Sequence, residues 1–125
     1  MTAETRTDRF VEALHRMDEG EAAPLLELFA EGATLQRPEK DASGADQGPE
    51  EFWRQYREVF SSLSTEFVSV REEGDLGVLE WTSTGTLTTG REVSYAGVSL
   101  LEFSGDLVQR FATYYDTAAF VSPEV

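Results

Sequence analysis

Three groups of side chains in this sequence have types and spacings that could do chemistry. The first is Asp116, which follows the aromatic pair Tyr114-Tyr115. An apolar wall disfavours a charged carboxylate, raises its pKa and so suits it to proton transfer. The same residue opens Asp116-Thr117-Ala118-Ala119, which also reads as a helix N-cap closing the last strand. The second is His15, the only histidine. The stripe through Phe10, Leu14 and Met17 puts it at the edge of a buried helix face, and one imidazole without a second aligned ligand does not make a metal site. The third is Glu39, Asp41 and Asp46, whose spacing lacks the ligand pattern of an EF-hand and reads as a solvated loop. There is no cysteine, which removes disulfides, thiolate metal sites and thiol nucleophiles together. Neither a metal nor a cofactor is expected.

An aromatic set is the other candidate. Trp53, Tyr56 and Phe60 fall in one segment, and Trp81, Tyr95 and Phe111 fall in strand-like segments. Such a set is either plain core or the wall of a cavity. Strand parity puts Ser83, Ser99 and Gln36 inward among these rings, and buried hydroxyls and amides need partners. A small ligand with one or two polar atoms, or a bound water, would supply them. The expected pocket is therefore Gln36, Trp53, Tyr56, Trp81, Tyr95, Ser99 and Phe111, with Asp116 as the one candidate catalytic group.

These residues belong to a chain of 125 residues, read as one domain over 1–125. Acidic residues outnumber basic ones 24 to 10, for a formal charge of −14. That field repels phosphate backbones and anionic lipid, and no basic cluster overcomes it locally, so neither nucleic acid nor a membrane surface is an expected partner. Residues 1–6 lack the apolar core of a signal peptide, and no apolar run approaches the ~20 residues that span a bilayer. A cytoplasmic location is expected.

Helical periodicity is expected over residues 8–17, with Thr7 as the cap and Gly20 as the stop, and again over 21–30. Residues 33–37 read as a short strand and 39–48 as a polar loop. From Pro49 an aromatic helical stripe runs through Phe52, Trp53, Tyr56, Val59, Phe60 and Leu63. Beyond Thr65 the period becomes 2. Segments 66–72, 77–89, 92–103 and 107–115 are separated by Gly74-Asp75, Gly90-Arg91 and Ser104-Gly105-Asp106, which predicts an antiparallel meander. Helices first and strands later make an α+β fold.

Segment 92–103 is apolar on both faces: Val93, Tyr95, Leu101 and Phe103 on one, Ala96, Val98 and Leu100 on the other. A strand apolar on both sides needs cover on both sides, and three helices cover one. A second copy of the chain, packed through Ala96, Val98, Leu100 and the threonine face of the preceding strand, would cover the other. A homodimer is expected.

The pattern resembles the NTF2-like superfamily, in particular its SnoaL-like branch, which includes polyketide cyclases and ketosteroid isomerase. The similar stretches are Arg9-Phe10-Val11-Glu12-Ala13-Leu14, Leu28-Phe29-Ala30-Glu31-Gly32-Ala33-Thr34-Leu35, Leu101-Glu102-Phe103-Ser104-Gly105-Asp106-Leu107-Val108, and Tyr114-Tyr115-Asp116-Thr117-Ala118-Ala119-Phe120. The resemblance implies a conical, strongly curved antiparallel sheet wrapped around three helices, a cystatin-like α+β barrel with a ligand cavity inside. Its catalytic positions do not carry over. The carboxylate base of ketosteroid isomerase aligns with Arg37, preceded by Gln36, and its oxyanion tyrosine and aspartic acid align with Phe10 and Ser99. The Asp-Arg-Asp set of limonene epoxide hydrolase aligns with Thr82, Glu80 and Thr113. The acid/base aspartate of the polyketide cyclases falls near Ala112, with Arg110 two residues earlier. The function expected is binding of a small, mostly apolar molecule, with cofactor-independent isomerase, cyclase or hydratase chemistry by proton transfer if the protein is an enzyme. The alternative is a non-catalytic binding or dimerisation module.

Overall fold

The computed structural model describes residues 4–38 and 48–120. Helix α1 (Arg6–Asp18) starts two residues earlier than its periodicity suggests, because Thr5 and Asp8 close a capping box. The Thr5 hydroxyl accepts from the Asp8 N–H and the Asp8 carboxylate from the Thr5 N–H, each at 3.0 Å. Thr7, expected as the cap, is instead a buried residue of the helix's first turn. Gly20 stops the chain at φ +99°, with its N–H on the Met17 carbonyl.

The second helix is far shorter than its apolar run. Helix α2 covers only Ala23–Leu26, and strand β1 runs Phe29–Gln36. Strand pairing overrides helical spacing here. The Val108 N–H donates to the Leu28 carbonyl at 2.8 Å, and the Phe29 ring packs between Phe10 and Phe111 at 5.8 and 6.4 Å. Helix α3 (Gly48–Arg57) is likewise shorter than its aromatic stripe, and strand β2 (Phe60–Glu73) takes the rest. Phe60 and Leu63 are thus strand residues, while Val59 lies between helix and strand.

Strands β3 (Leu76–Leu87), β4 (Glu92–Ser104) and β5 (Leu107–Tyr115) continue the meander, and a 3₁₀ turn (Thr117–Phe120) follows. The curved sheet has the order β1-β5-β4-β3-β2. All neighbours are antiparallel except β1, which lies parallel to β5, so one edge of the expected antiparallel sheet is mixed. A bulge at Val68 interrupts β2: Phe67 faces Trp81 but Ser69 faces Glu80. Phe67 and Val70 therefore both pack inward, whereas strict alternation puts them on opposite faces. The core holds Phe10, Leu25, Leu79, Leu101, Val108 and Phe111 between helices and sheet. The acidic loop residues Glu39, Asp41 and Asp46 lie outside the described residues. No described helix is long and apolar enough to cross a membrane.

One polar clasp docks α1 against the sheet. Arg6 donates through Nη2 and Nε to Glu72 Oε2 (3.1 and 3.3 Å), and to Asp75 Oδ1 (3.1 Å). It also reaches the carbonyls of Gly74 and Gly105, both at 2.8 Å, and its guanidinium lies 4.5 Å over the Phe103 ring. Two hairpin turns are thereby held by one side chain. Glu72 Oε1 accepts from the Thr7 hydroxyl (2.7 Å) and the Thr7 N–H (3.0 Å). Burial raises the Glu72 pKa, but the Thr7 hydroxyl, Arg6 and the Thr7 N–H together outweigh it and hold the carboxyl below its ordinary value.

A lowered carboxylate pKa contributes stability that is fully present above the unfolded value and is lost as pH falls through the folded one. Glu72→Gln is expected to lower unfolding free energy at pH 7 by about 1–3 kcal/mol. The difference from wild type should shrink below the ordinary glutamate value of 4.5. Urea denaturation from neutral pH downward checks this; a gap independent of pH would overturn it.

Candidate functional site

The inner face of the sheet and the helices enclose a cavity of about 60 Å³. Helix α1 contributes Leu14, Met17 and Asp18; helix α3 contributes Phe52, Trp53, Tyr56 and Arg57. The floor comes from alternate residues of the strands: Leu63, Thr65 and Phe67 on β2, Trp81 and Ser83 on β3, Ser99 on β4, and Phe111, Thr113 and Tyr115 on β5. The lining is mostly aromatic.

Its hydroxyls satisfy one another. Trp81 Nε1 donates to Ser99 Oγ at 2.9 Å, and Ser99 shares a 2.8 Å hydrogen bond with Thr113 Oγ1. Thr65 and Ser83 share another at 2.7 Å. Ser83 and Ser99 face inward as parity predicts, yet their partners are protein groups, so they do not call for a ligand. The indole of Trp53 does. It is only 9% exposed, and its Nε1 is buried without a hydrogen-bond partner among the described residues. An unpaired buried donor costs about 1–3 kcal/mol.

The structure brings together Trp53, Tyr56, Trp81, Ser99 and Phe111 from the expected pocket. It places the other three residues elsewhere. Tyr95 is buried one layer back, its ring against Trp81 and Tyr115 at 5.6 and 5.5 Å and its hydroxyl bonded to that of Tyr56. Gln36 is half-buried and alternates with buried Leu35 and Arg37, which inverts the parity expected for it. Arg37 takes the inward position, donating to the Phe52 carbonyl at 3.3 Å with its guanidinium 4.8 Å over the Phe52 ring. Asp116 is exposed and outside the cavity lining; its Oδ1 accepts from the Ala118 N–H at 2.9 Å, the capping geometry. His15 is exposed, with its ring edge on Phe67 at 5.4 Å. No cluster of three or more metal-ligating side chains occurs among the described residues.

Two charged cavity residues, Asp18 and Arg57, went unread in the sequence. Asp18 Oδ1 accepts from Arg57 Nη1 at 2.5 Å, joining the ends of α1 and α3 in the cavity lining. A signal existed: Asp18 is one turn beyond Leu14 and Arg57 one turn beyond Trp53, so each extends an apolar stripe by a charged residue.

Gly97 positions the largest ring of the floor. It pairs with Trp81 across β3 and β4, and a Cβ at Gly97 would stand 2.4 Å from Trp81 Cζ2 and 2.6 Å from the Tyr114 carbonyl. Gly97→Ala is expected to push the Trp81 indole off Ser99 and to cost about 1–3 kcal/mol by overpacking. Near-UV circular dichroism and urea denaturation read the two effects; an unchanged tryptophan signal would overturn the assignment.

The model of the SnoaL-like domain matches residues 7–111. No curated protein matches the chain. Among solved structures, the chain is similar to AclR from Streptomyces galilaeus, with a TM-score of 0.78 and 19% identity over 96% of this chain and 83% of that one. TerC, co-crystallized with polyporic acid, gives a TM-score of 0.76 at 17% identity over 93% and 95%. An NTF2-like protein from Burkholderia thailandensis gives 0.77 at 14% identity over 94% and 95%. At such identities the likeness to these structures is one of fold. The matched domain model spans most of the sequence, and the curved sheet closed over helices is the fold of these neighbours: the chain belongs to the SnoaL-like family.

Proposed function

We propose that the protein binds a small, mostly apolar, neutral molecule through one acceptor atom aimed at Trp53 Nε1. The observation that carries this reading is the buried, unpartnered indole N–H of Trp53, a residue that lines a cavity in which Thr65, Ser83, Ser99 and Thr113 are already hydrogen-bonded in pairs. The cavity exceeds the ~10–15 Å³ that one water needs, so water can occupy it until a ligand displaces it. TerC's co-crystallization with polyporic acid supports a small-molecule reading of the shared fold. The carboxylate that lines the cavity is Asp18 rather than Asp116, and it is paired to Arg57. Proton transfer on a bound carbonyl compound would therefore fall to Asp18 after that pair opens.

A thermal-shift panel of neutral acyclic ketones and amides tests the reading. A ligand at a hundredfold excess over Kd raises stability by about 2.7 kcal/mol. At least one compound is expected to raise the wild-type Tm, and Trp53→Phe should weaken its binding about tenfold with far-UV circular dichroism unchanged. A panel that leaves the Tm unmoved, or binding indifferent to Trp53→Phe, sinks the proposal.

The protein is also proposed to form a homodimer through the outer face of the sheet. Val98 is 38% exposed there, and its flanking register pairs set Ala96 opposite Thr82 and Leu100 opposite Val78. A stable interface needs about 800 Å² from each partner, which an apolar sheet face of this kind can supply. Light scattering is expected to give twice the chain mass of 13.9 kDa, and Val98→Arg to return it to the single-chain value. A wild-type monomer at micromolar concentration defeats this part.

A further inference from the structure

The cavity shares a wall with a groove of about 420 Å³ lined by Gln55, Val59, Phe60, Leu87 and Thr88, with Arg37 beside them. Tyr56 and Tyr115 line both spaces. Their rings meet at 6.0 Å between centroids, and the Tyr56 hydroxyl is bonded to that of Tyr95. Both residues are half-buried, as side chains at a partition should be.

Size decides between one site and two. An apolar cavity that accepts benzene measures about 150 Å³, and ligand pockets run roughly 300–1,000 Å³. The inner cavity, at about 60 Å³, is too small to take a ring unless its wall moves. The groove falls inside the ligand range but offers mainly apolar and aromatic surface, including the 43%-exposed Val59. The Arg37 guanidinium is turned onto the Phe52 carbonyl and ring.

We infer that the cavity and the groove are two chambers of one binding site, divided by the Tyr56–Tyr115 pair, and that its ligand is elongated. An oxygen acceptor at one end meets Trp53 Nε1, and an apolar tail passes the tyrosines into the groove. Rotation of the two rings opens the passage, so they set the length and thickness of what enters. This rests on the binding reading above and adds the groove to it.

Linear methyl ketones of four, six, eight and ten carbons are the probes, titrated against the folded wild-type protein and two variants. Trp53→Phe alters the inner end. Val59→Trp fills the groove from its exposed side, at a residue that does not itself line the cavity. For wild type, Kd is expected to fall about fourfold for each added methylene, the equivalent of roughly 0.8 kcal/mol per buried CH₂. Val59→Trp should weaken the ten-carbon ketone at least tenfold and leave the four-carbon ketone unchanged. If Kd stops falling beyond four carbons, or Val59→Trp leaves the ten-carbon ketone unaffected while Trp53→Phe still weakens every ketone, the two-chamber inference is overturned and the cavity reading stands. If no ketone binds, or none responds to Trp53→Phe, both fall. Should Val59→Trp fail to fold, Thr88→Trp on the same groove carries the test.

Discussion

The inner face of this protein depends on one close approach, the Trp81 indole lying over Gly97. The two residues pair across neighbouring strands, and the space a Cβ would occupy at Gly97 is filled by the indole. Glycine within a strand gives up about 0.5–1 kcal/mol of backbone order. That cost is offset by burying the largest side chain of the sheet and fixing its N–H on Ser99, which in turn engages Thr113. Three strands are thus registered to one another on the inside of the curve by one ring and two hydroxyls. The indole packs against Gly97, and the ring lines the cavity together with Trp53.

The outside of the fold answers to a different constraint. Curvature turns the hairpin ends toward the start of α1, and Arg6 gathers the turns after β2 and β4 into one cluster with Glu72 and Asp75. Gly77 belongs to this arrangement, because a Cβ there would stand 2.5 Å from the Thr7 hydroxyl that Glu72 needs. Helix docking and sheet bending are therefore coupled through short-range contacts at one end of the molecule. The cavity lies away from that end, beside the Asp18–Arg57 pair that joins α1 and α3.

How much of this was legible follows from which contacts are local. The meander was, because Gly74, Gly90 and Gly105 sit at positive φ between segments of clean period 2. The inward positions of Ser83 and Ser99 on regular strands followed from parity, whereas Trp81 and Phe111 were picked out as members of an aromatic set. Parity failed where register breaks. A shift between Phe29 and Thr34 moves Gln36 off the inner face, and the bulge at Val68 brings Phe67 and Val70 to the same side. The ends of α2 and α3 were misread because Phe29 and Phe60 satisfy a helical stripe as well as a strand. Only pairing with β5 and β3 decides between them. Asp18 and Arg57 meet across 39 residues, a separation at which a charge at the end of a stripe is ordinarily a solvated one.

Selectivity in such a site rests on shape more than on polar recognition. The hydroxyls of the floor are hydrogen-bonded to one another, while the Trp53 N–H is buried without a partner among the described residues, so in the proposed site an acceptor at that N–H would be worth about 1–3 kcal/mol. Area makes up the remainder, at roughly 25 cal/mol for each Å² of apolar surface removed from water. A molecule burying 100–200 Å² against these rings gains about 2.5–5 kcal/mol from contact, more than from that one hydrogen bond. The formal charge of −14 adds a third filter, since its field disfavours anions at every approach. A neutral, largely hydrocarbon molecule with one oxygen satisfies all three terms. A carboxylate-bearing analogue of the same size meets the repulsion of the whole surface before it reaches the indole.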